Sequence, residues 1–178
     1  MKELRFHGRG GQGAVTTAEL VALAAISEGK FAQAFPSFGP ERRGAPVVAY
    51  ARIDDRPIRV RSKVDRPDVV VVLDPSLLQL VSVQDGLKEG GVVVANASED
   101  CAEFKERLQS NQKAFTIDAN KIAMEALGRP ITNTTMIGAL VKITELVDLK
   151  SLEGPLRERF GRLAERNLSA MKRAYESM

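Results

Sequence analysis

Four of the six residues from Gly8 to Gly13 are glycine, and this density is the strongest chemical signal in the sequence. Glycine lets a backbone turn tightly and approach a ligand with no β-carbon in the way, and the free N–H groups at a helix start attract anions. The segment Phe6-His7-Gly8-Arg9-Gly10-Gly11-Gln12-Gly13-Ala14 joins an expected strand to an expected helix. It therefore reads as a backbone-amide cradle for a phosphate-like anion. Gly8, Gly10 and Gly13 also match the G-x-G-x-x-G spacing of dinucleotide sites, which place an acidic residue about 20 residues further on to hold the ribose. That region here is Phe31-Ala32-Gln33-Ala34-Phe35-Pro36, with no carboxylate. A nucleotide-hydrolase P-loop fails as well, because no Gly-Lys-Ser or Gly-Lys-Thr follows the glycines. A stand-alone adenine-nucleotide-binding module and a loop that merely turns the chain remain as alternatives.

Other chemistry has less to work with. His7 is the only histidine, so any triad or multi-histidine metal site would have to centre on it; a packed strand histidine is the plainer reading. Cys101 is the only cysteine, which excludes a disulfide framework, a cysteine-rich zinc site and a cysteine-ligated iron–sulfur cluster within this chain. Asp74-Pro75 follows an apolar run and reads as the start signal for a short helix. The net charge is +3, but eight Arg and Lys residues face four acids between Glu41 and Arg66. This concentration is either a solvated strand edge or a surface for an anionic ligand or partner. Nucleic acid is not expected, since none of the nine aromatic residues is interleaved with these cations as a stacking platform.

The elements that must position the glycine loop follow from apolar spacing. With 178 residues, 44% of them hydrophobic, the chain has the size of one domain spanning 1–178. No apolar run approaches a membrane span, and a cytoplasmic location is expected. Strands are expected at Glu3 to His7, Phe31 to Phe35, Pro46 to Ile53, Asp68 to Leu73, Val92 to Ala95 and Ala114 to Ile117. A further strand at Ile58 to Ser62 would return from the turn at Asp54-Asp55-Arg56-Pro57, giving an antiparallel hairpin. Helices are expected at Ala14 to Glu28, Ser76 to Val83, Glu99 to Gln109, Asp118 to Leu127, Asn133 to Val147 and Leu152 to Tyr175, the last broken near Gly161. Its apolar residues, Leu156, Phe160, Leu163, Leu168 and Met171, belong either to a surface helix or to a contact with another chain. The alternation predicts a three-layer α/β/α fold, with a mostly parallel mixed sheet, an antiparallel hairpin and a helical C-terminal part.

Three segments, in this order, resemble the gamma subunit of the 2-oxoacid:acceptor oxidoreductases, the family that includes pyruvate:ferredoxin oxidoreductase. They are His7 to Gly13, the stretch Pro36-Ser37-Phe38-Gly39-Pro40-Glu41-Arg42-Arg43-Gly44-Ala45-Pro46, and Asn133-Thr134-Thr135-Met136-Ile137-Gly138-Ala139. Arg-Gly-Ala-Pro is closer to pyruvate and 2-oxoisovalerate members than to 2-oxoglutarate members. The resemblance implies an accessory subunit of an acyl-CoA-forming enzyme. Partner subunits would hold thiamine diphosphate and iron–sulfur clusters, ferredoxin would take the electrons, and this chain would hold no metal. Coenzyme A is then the anionic ligand left for the glycine loop. On this reading Gly8, Gly10, Gly11, Gln12 and Gly13 form the phosphate cradle, with the amides of Gly10, Gly11 and Gly13 as donors. Arg43, and after it Arg42, would neutralise phosphate charge or pair with Glu41, while Ser37 and Gly39 shape their loop. Asn133 would stand beside the ligand or simply cap its helix.

Overall fold

The computed structural model describes residues 1–37, 44–108 and 112–178. Its centre is a six-stranded sheet of β1 (Lys2–Arg9), β2 (Phe31–Pro36), β3 (Pro46–Asp54), β4 (Val69–Val72), β5 (Val92–Asn96) and β6 (Lys113–Ile117), in the order β2-β3-β1-β4-β5-β6. β1, β4, β5 and β6 run parallel, whereas β3 lies antiparallel to both β1 and β2. The all-valine β4 is buried along its whole length, as a strand covered on both faces must be.

Helices cover the sheet unequally. One face carries α1 (Ala14–Ser27), α3 (Ala119–Leu127), α4 (Asn133–Thr144), α5 (Glu153–Phe160) and α6 (Ala164–Glu176) over the larger core, which includes Leu4, Phe6, Leu20, Val71, Met136 and Met171. The other face carries α2 (Cys101–Leu108), whose Phe104 and Leu108 meet Val70, Val72 and Val93. The mixed three-layer architecture and the helical C-terminal part agree with the sequence reading.

Four expectations need correction. Residues 58–62 form no strand: β3, the strand they would return along, is already paired on both edges by β1 and β2, and Arg52 holds the carbonyls of Ser62 and Lys63 over the face of the sheet instead. The antiparallel hairpin is β2 with β3, and residues 55–67 instead cross the second face as an irregular strap. The helix expected at Ser76 to Val83 is only a 3-10 turn, Pro75–Gln79. α4 stops at Thr144, where Glu145 adopts a left-handed backbone with φ 50°. Of the apolar residues of the C-terminal helices, Leu156, Leu168 and Met171 are buried within this chain, the last two on α6 against α4, while Phe160 is partly buried and Leu163 is exposed. Gly161 divides α5 from α6, as expected.

Candidate anion-binding site

The glycine loop leaves the carboxyl end of β1, beside the ends of β3 and β4, and enters α1. Gly13 takes a left-handed backbone, φ 80°, which an L side chain adopts only with strain. Its carbonyl accepts the first helical bond from Thr17 N at 2.8 Å and a second from Thr17 Oγ1 at 2.9 Å. At the other end, a β-carbon on Gly8 would press to 3.3 Å against both Ala14 and Leu73. A side chain at this position would therefore crowd the helix start and the residue after β4.

A set of internal bonds fixes the loop. Gln12 Oε1 accepts from Arg9 N at 2.7 Å, and Gln12 N donates to Arg9 O at 2.9 Å. Gln12 Nε2 donates to Asp74 Oδ2 at 2.7 Å, so this side chain ties the loop to the end of β4 rather than reaching outward. Asp74 also accepts from Ser76 N and Ser76 Oγ and pairs with Arg9 at 3.2 Å. Arg9 is consequently a neutralised brace that also donates to Ser76 Oγ and Gly44 O. Burial opposes ionisation of Asp74, but bonds from Ser76 and Gln12 and the charge of Arg9 outweigh it and hold its carboxyl below the ordinary value. Asp74 thus starts the short helical turn, as expected, and braces the loop in addition.

Of the three amides expected to meet an anion, that of Gly10 is engaged by Ala45 O at 2.9 Å. Those of Gly11 and Gly13 donate to no acceptor among the described residues. Asn133 lies against Gly13. A β-carbon on Gly13 would lie 2.8 Å from Asn133 Nδ2, so the absence of a side chain at Gly13 admits the amide of Asn133. Asn133 is only 5% exposed; its Oδ1 accepts from Thr134 N, and its Nδ2 donates to nothing among the described residues. It opens α4 without acting as a side-chain cap. The N-termini of α1 and α4 therefore converge on Gly13, each carrying roughly half a positive charge from the aligned peptide dipoles. Two loop amides, the side-chain amide of Asn133 and two helix ends are donors and dipoles of the kind that favour an anion with several oxygens.

The remaining expected site residues divide in two. Ser37 is exposed just beyond β2, where its amide donates to Val48 O at 2.7 Å and continues the pairing with β3. Gly39, Glu41 and Arg43, with Arg42, lie outside the described residues. Sequence reasoning passed over Arg9, Ser76 and Thr17. The local Asp-Pro-Ser signal at residues 74–76 was available for Ser76, but nothing local joins Asp74 to Gln12.

Comparison with known proteins bears on what this geometry serves. A family model described as pyruvate ferredoxin/flavodoxin oxidoreductase matches residues 3–177. The chain belongs to this family. It is 54% identical over 177 residues to the common gamma subunit of the pyruvate/ketoisovalerate oxidoreductases of Thermococcus kodakarensis, covering 98% of this chain and 96% of the relative. It is likewise 54% identical over 179 residues to pyruvate synthase subunit PorC of Methanothermobacter thermautotrophicus, covering 100% and 96%. Among solved structures, pyruvate oxidoreductase subunit PORC of Thermotoga maritima superposes with a TM-score of 0.88 at 38% identity, covering 98% of this chain and 95% of that one. A 2-oxoglutarate:ferredoxin oxidoreductase from Magnetococcus marinus, solved with 2-oxoglutarate, coenzyme A and succinyl-CoA bound, shares the fold at TM-score 0.77 and 19% identity, covering 99% of this chain and 31% of that chain. The chain is a gamma-type subunit of a 2-oxoacid:ferredoxin oxidoreductase. Within this gamma subunit, no group of three or more His, Cys, Asp or Glu residues suited to a metal occurs among the described residues. No described helix is long and apolar enough to cross a membrane.

Proposed function

We propose that this gamma subunit, working in the cytoplasm as a single domain, serves a pyruvate or related 2-oxoacid:ferredoxin oxidoreductase by holding a phosphate group of coenzyme A. The observation that carries this reading is Asn133 Nδ2 set against Gly13 and, like the amides of Gly11 and Gly13, without an acceptor among the described residues. The coenzyme A bound to the Magnetococcus marinus relative supports the choice of ligand. When bound, coenzyme A supplies the thiol that accepts the acyl group left by oxidative decarboxylation. The chain's own contribution is binding and orientation. Gly11 N, Gly13 N and Asn133 Nδ2 donate to phosphate oxygens, the ends of α1 and α4 favour the negative charge, and Gln12 and Asp74 keep the loop in shape. Ser37, Gly39, Glu41 and Arg43 complete the surroundings from the following loop, with Arg43 against phosphate charge. Partner subunits hold thiamine diphosphate and the iron–sulfur clusters, and ferredoxin receives the electrons.

Kinetics of the assembled enzyme test the reading. A hydrogen bond to a charged oxygen contributes about 1.5–3 kcal/mol, so Asn133→Ala should raise KM for coenzyme A by about tenfold or more. Asn133→Asp, of the same shape but anionic, should raise it further, and KM for the 2-oxoacid should stay unchanged in both. An unchanged KM for coenzyme A in intact complexes of both variants would remove the site from the reaction.

A further inference from the structure

The strap of residues 55–67 carries the cation cluster that the phosphate site does not use. Its second half is clamped to the sheet. Buried Arg52, 1% exposed, pairs with Glu3 at 2.9 Å and donates to the carbonyls of Ser62 and Lys63. Gln33 Nε2 donates to Ile58 O at 3.0 Å, Val64 is buried, and Lys88 N donates to Pro67 O at 3.0 Å. A β-carbon on Gly86 would strike Asp65 O at 2.1 Å, which shows how closely the strap lies on the neighbouring turn. The anchored strap exposes Arg56, Arg59, Arg61, Lys63 and Arg66. Only Lys63 has an ionic partner among the described residues, Asp65 at 3.1 Å. Elsewhere on the surface Arg107 pairs with Glu99, Arg157 with Glu165 and Arg173 with Glu125, while Arg129, Arg159, Arg162 and Arg166 likewise have no ionic partner among the described residues but are not gathered on one clamped segment.

We propose that Arg56, Arg59, Arg61 and Arg66 form a docking surface for a carboxylate-rich face of another subunit of the same complex. Four arginines to one lysine is the composition suited to bidentate pairing with carboxylates in a specific contact, whereas a solvated surface needs no such bias. The clamp beneath the strap lowers the ordering cost of such a contact. Val60, 41% exposed between Arg59 and Arg61, is the one large apolar residue the strap presents, and the strap has no aromatic residue on which a nucleic-acid base could stack. The surface is separate from the phosphate site. Arg52 lies opposite Glu3 in the sheet and the glycine loop starts at Gly8, five residues or about 17 Å along β1. The inference therefore rests on membership of a multi-subunit enzyme and not on coenzyme A binding.

The test is the salt stability of the assembled complex, read as subunit stoichiometry in size-exclusion chromatography. Arg59→Glu/Arg61→Glu should release the gamma subunit at salt concentrations where the unaltered complex stays whole, with Arg59→Lys/Arg61→Lys intermediate. A Lys105→Glu/Lys121→Glu control of equal charge, on α2 and α3, should behave like the unaltered complex, and thermal melting of the separate gamma chains should show that all variants fold. Three results would overturn the proposal: release unaffected by the strap reversal; an intact complex in which only KM for the protein electron acceptor rises; or an intact complex that has lost only bound nucleic acid.

Discussion

His7 stands in the middle of the sheet, opposite Val48 of β3 and Val72 of β4, and is only 6% exposed. Its Nε2 has no partner among the described residues, and burial, reinforced by the positive charge of Arg5, lowers its pKa from 6.5 to about 4. The folded chain thus keeps His7 neutral at a pH where the unfolded chain takes up a proton. Stability is complete above pH 6.5, declines as the pH falls from 6.5 towards 4, and changes little further on this account below that. A shift of this size corresponds to on the order of 3 kcal/mol. Urea unfolding between pH 7 and pH 4.5 should show the decline in the native chain and its absence in His7→Leu; the same slope in both would assign it to other groups. The lone histidine is therefore a core residue, in keeping with the plainer reading of the sequence.

At the scale of elements, the crossing of α4 and α6 is the tightest contact in the C-terminal part. A β-carbon on Gly138 would lie 2.0 Å from Met171 O, backbone that cannot turn aside. Gly138→Ala should therefore destabilise the chain by about 1–3 kcal/mol or more, measured by denaturant unfolding. It should also weaken coenzyme A binding, since α4 places Asn133 beside Gly13. The third sequence motif thus joins a residue of the proposed site, Asn133, to the glycine that sets its helix. β4 and β5 were legible as unbroken β-branched runs, and α1 as apolar spacing closed by Gly29. The strand expected at residues 58–62 was not, because Ile58-Arg59-Val60-Arg61 alternates like an edge strand and only the sheet order shows that β1 and β2 already take both edges of β3. The same limit applies to the site. The glycine density announced a loop, but Asn133 and Asp74 reach it from 120 and 61 positions along the chain beyond Gly13, through contacts that no local pattern encodes.

For the whole molecule, the two ends of the sheet carry different electrostatic work. At the end away from the glycine loop, Arg52, Glu3, Lys88, Asp68 and Lys2 form a chain of ion pairs. Asp68 is held below the ordinary carboxylate value: burial raises it, but the bond from Lys88, the amide of Glu3 and the charges of Lys88 and Lys2 prevail. Asp74 is lowered in the same sense at the loop end. A lowered carboxylate contributes stability above its unfolded value, about 3.9, and loses that contribution as pH falls through the folded value. Acid unfolding should therefore proceed in two ranges, the histidine decline above pH 4 and a carboxylate decline below it. Asp68→Asn should diminish the second and leave the first intact, as monitored by circular dichroism across a pH series.

The bracing of the glycine loop by Gln12, Arg9 and Asp74 has a kinetic meaning. Because residues 8–13 already hold their shape through protein bonds, a phosphate ligand finds its donors in place and need not wait for this segment to order. Stopped-flow binding of coenzyme A to the assembled enzyme should then show, for the step reported from this loop, a single exponential whose rate rises linearly with ligand concentration. Asp74→Ala, which unties the brace, should introduce a slow phase that saturates.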